Sequence, residues 1–126
     1  MTIVDSSVWI AWLDKDDSQH SMAEIVLEEL HDIVIPEYVI LEVCTVLSRK
    51  RGHTLAERFL GMALENSDIT LLFSKEEFFY KTVDKFKKVC RRKLSFVDSM
   101  LVTLSQSHTI LTFDRTLQKI IRGGFA

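Results

Sequence analysis

"IVDSSVWIAWL", residues 3–13, takes a short apolar run straight into a carboxylate, two serines and a second apolar run. Ile3 and Val4 are β-branched and suit a strand. Asp5 is a favoured helix N-cap, and Val8–Leu13 predicts a short helix behind it. A strand at residues 2–5 that stops on an acid and turns at once into a helix is one unit of a strand–helix alternation.

The rest of the chain continues that alternation. A helix is predicted over Gln19–Leu30, and "DIVIP" supplies a strand. Pro36 suits the first turn of a helix, where its missing N–H costs nothing. That helix runs to about Arg51 and stops near Gly52. Further helices are predicted over Thr54–Asn66, from Lys75 to about Arg92 with Ser74 as its cap, over Ser95–Ser107 and over Asp114–Ile121. The strands "ITLLF" from Ile69 and "TILTF" from Thr109 fall between them. Strands alternating with helices favour a parallel sheet covered on both faces. Ligands of such sheets lie beyond the carboxyl ends of the strands, where Asp5 and Asp114 would both stand.

Composition narrows the classes. With 126 residues, 47% hydrophobic, the chain suits one globular domain with a single core. No apolar run approaches the ~18–20 residues of a membrane span. Asp5 falls where a secretory leader would need apolar residues. Cys44 and Cys90 are far apart, without CxxC or clustered Cys/His spacing, and read as small buried residues in a reducing cytoplasm. The four histidines show no ligand spacing either. A net charge of −2 does not mark a nucleic-acid binder by itself. Its distribution says more: Lys81–Lys93 holds seven of the sixteen Lys and Arg residues. Lys81, Lys85, Lys88 and Arg92 form a stripe at helical spacing, beside the apolar stripe Phe79, Val83, Phe86 and Cys90. Solvated i,i+4 pairs such as Glu77–Lys81 and Asp84–Lys88 explain that stripe as well as a phosphate contact does. Lys93 lies just before the Asp98 turn. Arg49, Lys50 and Arg51 close the Glu42 helix and complement its negative end.

Four acids carry the chemical question. Capping alone accounts for Asp5 and Asp114, and "SFVD" makes a capping box of Ser95 and Asp98. Glu42 is different. It interrupts "EYVILEVCTVL", apolar on most of its circumference, where an unpaired charge is costly. The plainer reading puts Glu42 on a narrow wet stripe with Tyr38, Thr45 and Arg49. If the four converge, their repulsion must be relieved by protons or by a bound cation. Mg²⁺ or Mn²⁺, hard ions that prefer oxygen, suit such a pocket and suit phosphodiester hydrolysis.

In these four stretches the chain resembles the PIN domain: "IVDSSVWIAWL", "VILEVCTVL" around Glu42, "LSFVDSMLVTLS" around Asp98 and "ILTFDRTLQKI" around Asp114. More narrowly, it resembles the VapC-type toxins of type II toxin–antitoxin modules, from Ile3 to about Phe125. The resemblance implies a single-domain α/β fold, a three-layer α/β/α sandwich around a mostly parallel sheet. It also implies an Mg²⁺- or Mn²⁺-dependent endoribonuclease. Asp5, Glu42, Asp98 and Asp114 match the family's acidic quartet, with Asp5 and Asp98 foremost as metal ligands. Ser6 and Thr112 match supporting polar positions. A further acid carried by some PIN domains is Thr116 here, so one ion or two fit the pattern. Lys85, Lys88, Arg92 and Lys93 are the candidate RNA contacts. The implied partners are RNA, a cognate antitoxin and a second copy of the chain; Trp9 and Trp12, at i and i+3, pack or meet a partner, and a helical surface carrying Trp9, Trp12, Phe78 and Phe79 suits docking. A free-standing RNA-processing nuclease and a non-catalytic PIN-like scaffold are the alternatives.

Overall fold

The computed structural model describes residues 1–89 and 94–123. Its elements run β1 (Thr2–Val4), α1 (Ser6–Leu13), α2 (His20–Glu28), β2 (Ile33–Pro36), α3 (Glu37–Arg51), α4 (His53–Glu65), β3 (Ile69–Leu72), α5 (Glu76–Val89), α6 (Phe96–Leu104), β4 (Thr109–Leu111) and α7 (Arg115–Gly123). The four strands form one parallel sheet in the order β3-β2-β1-β4.

That order places the site. From β1 the chain steps to β2 and then to β3, always outward on one side. It then crosses back past β1 to lay down β4 on the other edge. Right-handed crossovers therefore put α1–α4 on one face, where α1 meets α2 and α3, and α3 meets α4. The α5–α6 pair and α7 take the opposite face, in contact with one another. The result is the expected three-layer arrangement. The direction of winding reverses between β1 and β4, and the crevice of a parallel sheet opens at such a switch. Asp5 follows β1 and Asp114 lies just beyond β4.

The core is continuous beneath that crevice. Ile3, Val4, Ile35, Val39, Val43, Phe59, Leu101 and Leu117 are fully buried. Trp9 is as deeply buried, its indole Nε1 donating to the Val4 carbonyl at 3.1 Å. Its ring meets Trp12 edge-on, with centroids 5.8 Å apart, and Phe59 at 5.5 Å. Trp9 is thus a core residue, and the expected docking surface loses it: at i+4 from Asp5, its position points under the sheet.

Other expectations shift for local reasons. Helix α1 starts at Ser6, earlier than Val8, because Asp5 caps it directly. Pro36 ends β2, paired with Leu72, and its extended ψ of 144° makes it the N-cap of α3 instead of its first residue. Helix α5 begins at Glu76, too late for Ser74 to cap it, and the Ser74 amide donates instead to Glu37 Oε1 at 2.7 Å. Helix α6 ends at Leu104, with His108 N bonded back to Leu104 O. Strand β3 ends at Leu72, leaving Phe73 outside it and exposed. Gly52 does separate α3 from α4, and its φ of 87° favours a residue without a Cβ. Arg51 does more than face a helix end: it pairs with Asp14 at 3.0 Å and Asp16 at 2.7 Å, tying α3 to the turn after α1. Cys90, Arg92 and Lys93 lie outside the described residues.

Candidate active site

Each acid is held by the local structure that its sequence context dictates. Asp5 is 3% exposed. Its Oδ1 accepts from the Ser6 amide at 2.7 Å, the N-cap bond of α1. Its Oδ2 accepts from Thr112 Oγ1 at 2.7 Å and from Ser7 Oγ at 3.2 Å. Asp5 N donates to the Leu111 carbonyl at 2.9 Å, so backbone and side chain both lock the end of β1 to the end of β4. Asp114 caps α7, accepting from Leu117 N at 3.1 Å, and its own amide donates to Thr112 Oγ1 at 3.1 Å. Asp98 completes a reciprocal capping box with Ser95, at 3.2 and 3.1 Å. The capping roles read from the sequence for Asp5, Asp98 and Asp114 are therefore all present.

Those caps do more than close helices. Glu42, half-buried on α3, accepts a hydrogen bond from Ser6 Oγ, the same side chain whose amide caps onto Asp5. Burial pushes the Glu42 carboxyl above its ordinary range; the Ser6 hydroxyl opposes this, and the charges of Asp5 and Asp98 push it further up. Burial likewise raises Asp98, opposed by the Ser95 amide and hydroxyl and assisted by the charges of Asp5 and Asp114. The repulsions link all four acids into one electrostatic unit, although they come from four separate parts of the chain. The wet stripe expected around Glu42 is only partly there: Thr45 and Arg49 are exposed, but Tyr38 is buried.

Ser6 and Thr112 stand where the sequence placed them, beside the acids. Ser7 was missed. Its hydroxyl accepts from Phe113 N at 3.1 Å, donates to Asp5 and lies 3.4 Å from Thr112 Oγ1, joining the two strand ends. The available signal was the doubled serine: one hydroxyl suffices at a helix entrance, and two after a buried acid leave one to explain.

The model of the PIN domain matches residues 2–122. The chain belongs to the PIN domain family. No curated protein matches it in sequence. Among solved structures, this PIN domain is similar to VapC20 of Mycobacterium tuberculosis, a sarcin-ricin loop cleaving toxin, with a TM-score of 0.87 at 20% identity. The likeness covers 100% of this chain and 97% of that one. At that identity it speaks for the fold, and it extends the family match to the whole three-layer domain.

PIN nucleases generally use divalent metal ions, and the donors here are suited to one. They are all carboxylates, hard oxygen donors, in a half-buried setting where their charges repel. Among the described residues no group of three or more His, Cys, Asp or Glu is arranged to hold a metal by itself. Mg²⁺ does not require such a cage, since it usually keeps several waters and binds through one or two carboxylates plus substrate phosphate.

The raised carboxyls give a pH dependence. In the folded chain Glu42 and Asp98 hold their protons to higher pH than in the unfolded chain. Their stabilising contribution is fully present below the ordinary carboxylate range, about pH 4. It is lost as pH rises through the raised folded values. The melting temperature of Glu42→Gln relative to the parent, followed in EDTA, therefore climbs as pH rises from about 4. Mn²⁺ at neutral pH narrows the gap by binding the folded parent. A gap that is flat with pH contradicts the upward push of burial and repulsion on Glu42.

Proposed function

We propose that this PIN domain is an Mg²⁺- or Mn²⁺-dependent endoribonuclease acting as the toxin of a type II toxin–antitoxin module. The observation that carries this is the hydrogen-bonded set at the sheet's switch point that joins Asp5 to Glu42 through Ser6 and to the Asp114 amide through Thr112. In this reading Asp5 and Asp98 are the principal ligands. Asp5 is fixed by Ser6, Ser7 and Thr112, and Asp98 by Ser95. Glu42 and Asp114 complete the acidic wall, with Glu42 held toward Asp5 through Ser6. A bound divalent ion supplies Lewis acidity toward water and the scissile phosphate. The protein contributes fixed carboxylates at the end of a core strand, with Ile3 and Val4, fully buried, preceding Asp5. The likeness to VapC20, a sarcin-ricin loop cleaving toxin, supports RNA as the substrate class; a cognate antitoxin as inhibitor and a homodimer as working form complete the proposal. Purified protein is expected to cut total RNA with Mg²⁺ or Mn²⁺ and to stop in EDTA; cutting undiminished by EDTA contradicts the reading.

Phosphate binding falls to the basic face of α5. Phe79 and Phe86 pack their rings on Phe96, with centroids 5.8 and 5.4 Å apart, which docks α5 against the first turn of α6 that carries Asp98. Lys88 is exposed and Lys85 half-buried on this helix; Lys81 pairs with Glu77 at 3.6 Å, as the spacing suggested. Exposed pairs of that kind are weak and yield readily to phosphate. Replacing Lys85 and Lys88 together by Ala is expected to weaken binding of single-stranded RNA. It should also reduce the slope of log affinity against log salt by about 0.7 for each phosphate no longer neutralised. An unchanged slope removes these two residues from the RNA path.

A further inference from the structure

Beyond the carboxyl end of β3 lies a groove of about 270 Å³ outside the four-acid site. Tyr38, Phe73, Lys75, Phe78 and Lys81 line it. The rings of Tyr38 and Phe78 are nearly parallel, 11° apart with centroids at 6.4 Å, and Phe73 is 64% exposed. Tyr38 is 8% exposed, yet its hydroxyl is buried without a hydrogen-bond partner, where buried polar groups are normally satisfied. The segment is held in place by the Ser74 amide on Glu37. Tyr38 also lines a second cavity of about 340 Å³, and Glu42 lines that same cavity one helical turn further along α3. The two cavities share the Tyr38 wall, and the second reaches Glu42.

We propose that this groove takes one unpaired nucleobase of the RNA substrate, stacked on the exposed face of Phe73 and Phe78, with its flanking phosphates against Lys75 and Lys81. This rests on the nuclease reading above. An aromatic platform rimmed by cations is how proteins hold single-stranded nucleic acid, because every base has a π-face and every nucleotide a charge. The groove falls just below the ~300–1,000 Å³ of pockets for drug-sized ligands, which suits one ring system. Its charged lining is two lysines and Glu77, which is already paired to Lys81, and this balance favours an anionic ligand, as a nucleotide's phosphates are. The Tyr38 hydroxyl is shielded from solvent, so the groove is read through its rings and lysines. Burial pushes the Tyr38 phenol up, so it stays protonated.

The test uses the full chain carrying Asp98→Asn, to prevent cutting. Fluorescein-labelled RNA octamers, each lacking the base at one successive position, are titrated by anisotropy in Mg²⁺. One position in the series is expected to weaken binding by about tenfold, the scale of one lost stack. That penalty is expected to vanish in Phe73→Ala, a change at an exposed residue that leaves the core intact, and to survive in Phe73→Trp. A penalty that persists in Phe73→Ala, or no position with a penalty, overturns the groove as a base site. If Phe73→Ala instead lowers the particle mass by light scattering and leaves the octamer series unchanged, the face is a protein interface and the proposal fails. The parent chain's cleavage of total RNA is read separately: cutting without a base penalty sinks the groove alone, and no cutting and no octamer binding sinks both readings.

Discussion

Asp98→Asn is expected to lower metal-dependent RNA cleavage by at least about 100-fold, with the melting temperature within about 3 °C of the parent. Outer-shell partners of a metal site cost about 10–100-fold when removed, so a principal carboxylate ligand costs no less. The fold should tolerate the change because an amide oxygen still accepts from the Ser95 amide and preserves the capping box. What is lost is an acid near the positive end of α6, worth about 0.3–1 kcal/mol. Against that, the repulsion from Asp5 and Asp114 is relieved. Asp5→Asn should match it in activity. Cleavage within about threefold of the parent in either variant would mean that the cutting is done elsewhere.

Trp9→Ala is expected to be the most damaging single change to stability. The ring is 2% exposed and wedged between Trp12 and Phe59. Truncating a buried Trp costs about 3–5 kcal/mol, against a total stability for such domains of about 5–15 kcal/mol. For this chain length that corresponds to a drop of roughly 10–20 °C in a thermal melt followed by circular dichroism. Because the indole also donates to the Val4 carbonyl, immediately before Asp5, the variant should lose activity before it loses secondary structure on warming. A shift under about 3 °C would place Trp9 outside the core.

The order of elements and the acids were legible because both rest on local signals. Asp5, Asp98 and Asp114 follow recognisable cap patterns, and Glu42 stands out as a charge in an apolar helix. Their convergence was not legible from spacing. It depends on β4 pairing with β1 across more than a hundred residues, and on α3 reaching Ser6 from the other side. The misses have the same cause. Trp9 reads as part of an apolar helix whichever way it faces, and only the sheet above it decides. Tyr38 reads as the polar edge of α3 until Phe78, forty residues later, stacks on it. Pro36 carries equally good reasons to end a strand or begin a helix, and its pairing with Leu72 settled the matter.

The most direct test of the four-acid site is a Mn²⁺ titration of the parent chain, Asp5→Asn and Asp98→Asn, with free Mn²⁺ read by electron paramagnetic resonance. The parent is expected to take up Mn²⁺, and each variant to bind it at least about tenfold more weakly. Equal uptake by all three, or no uptake by the folded parent at millimolar Mn²⁺, would contradict a cation site built from these carboxylates.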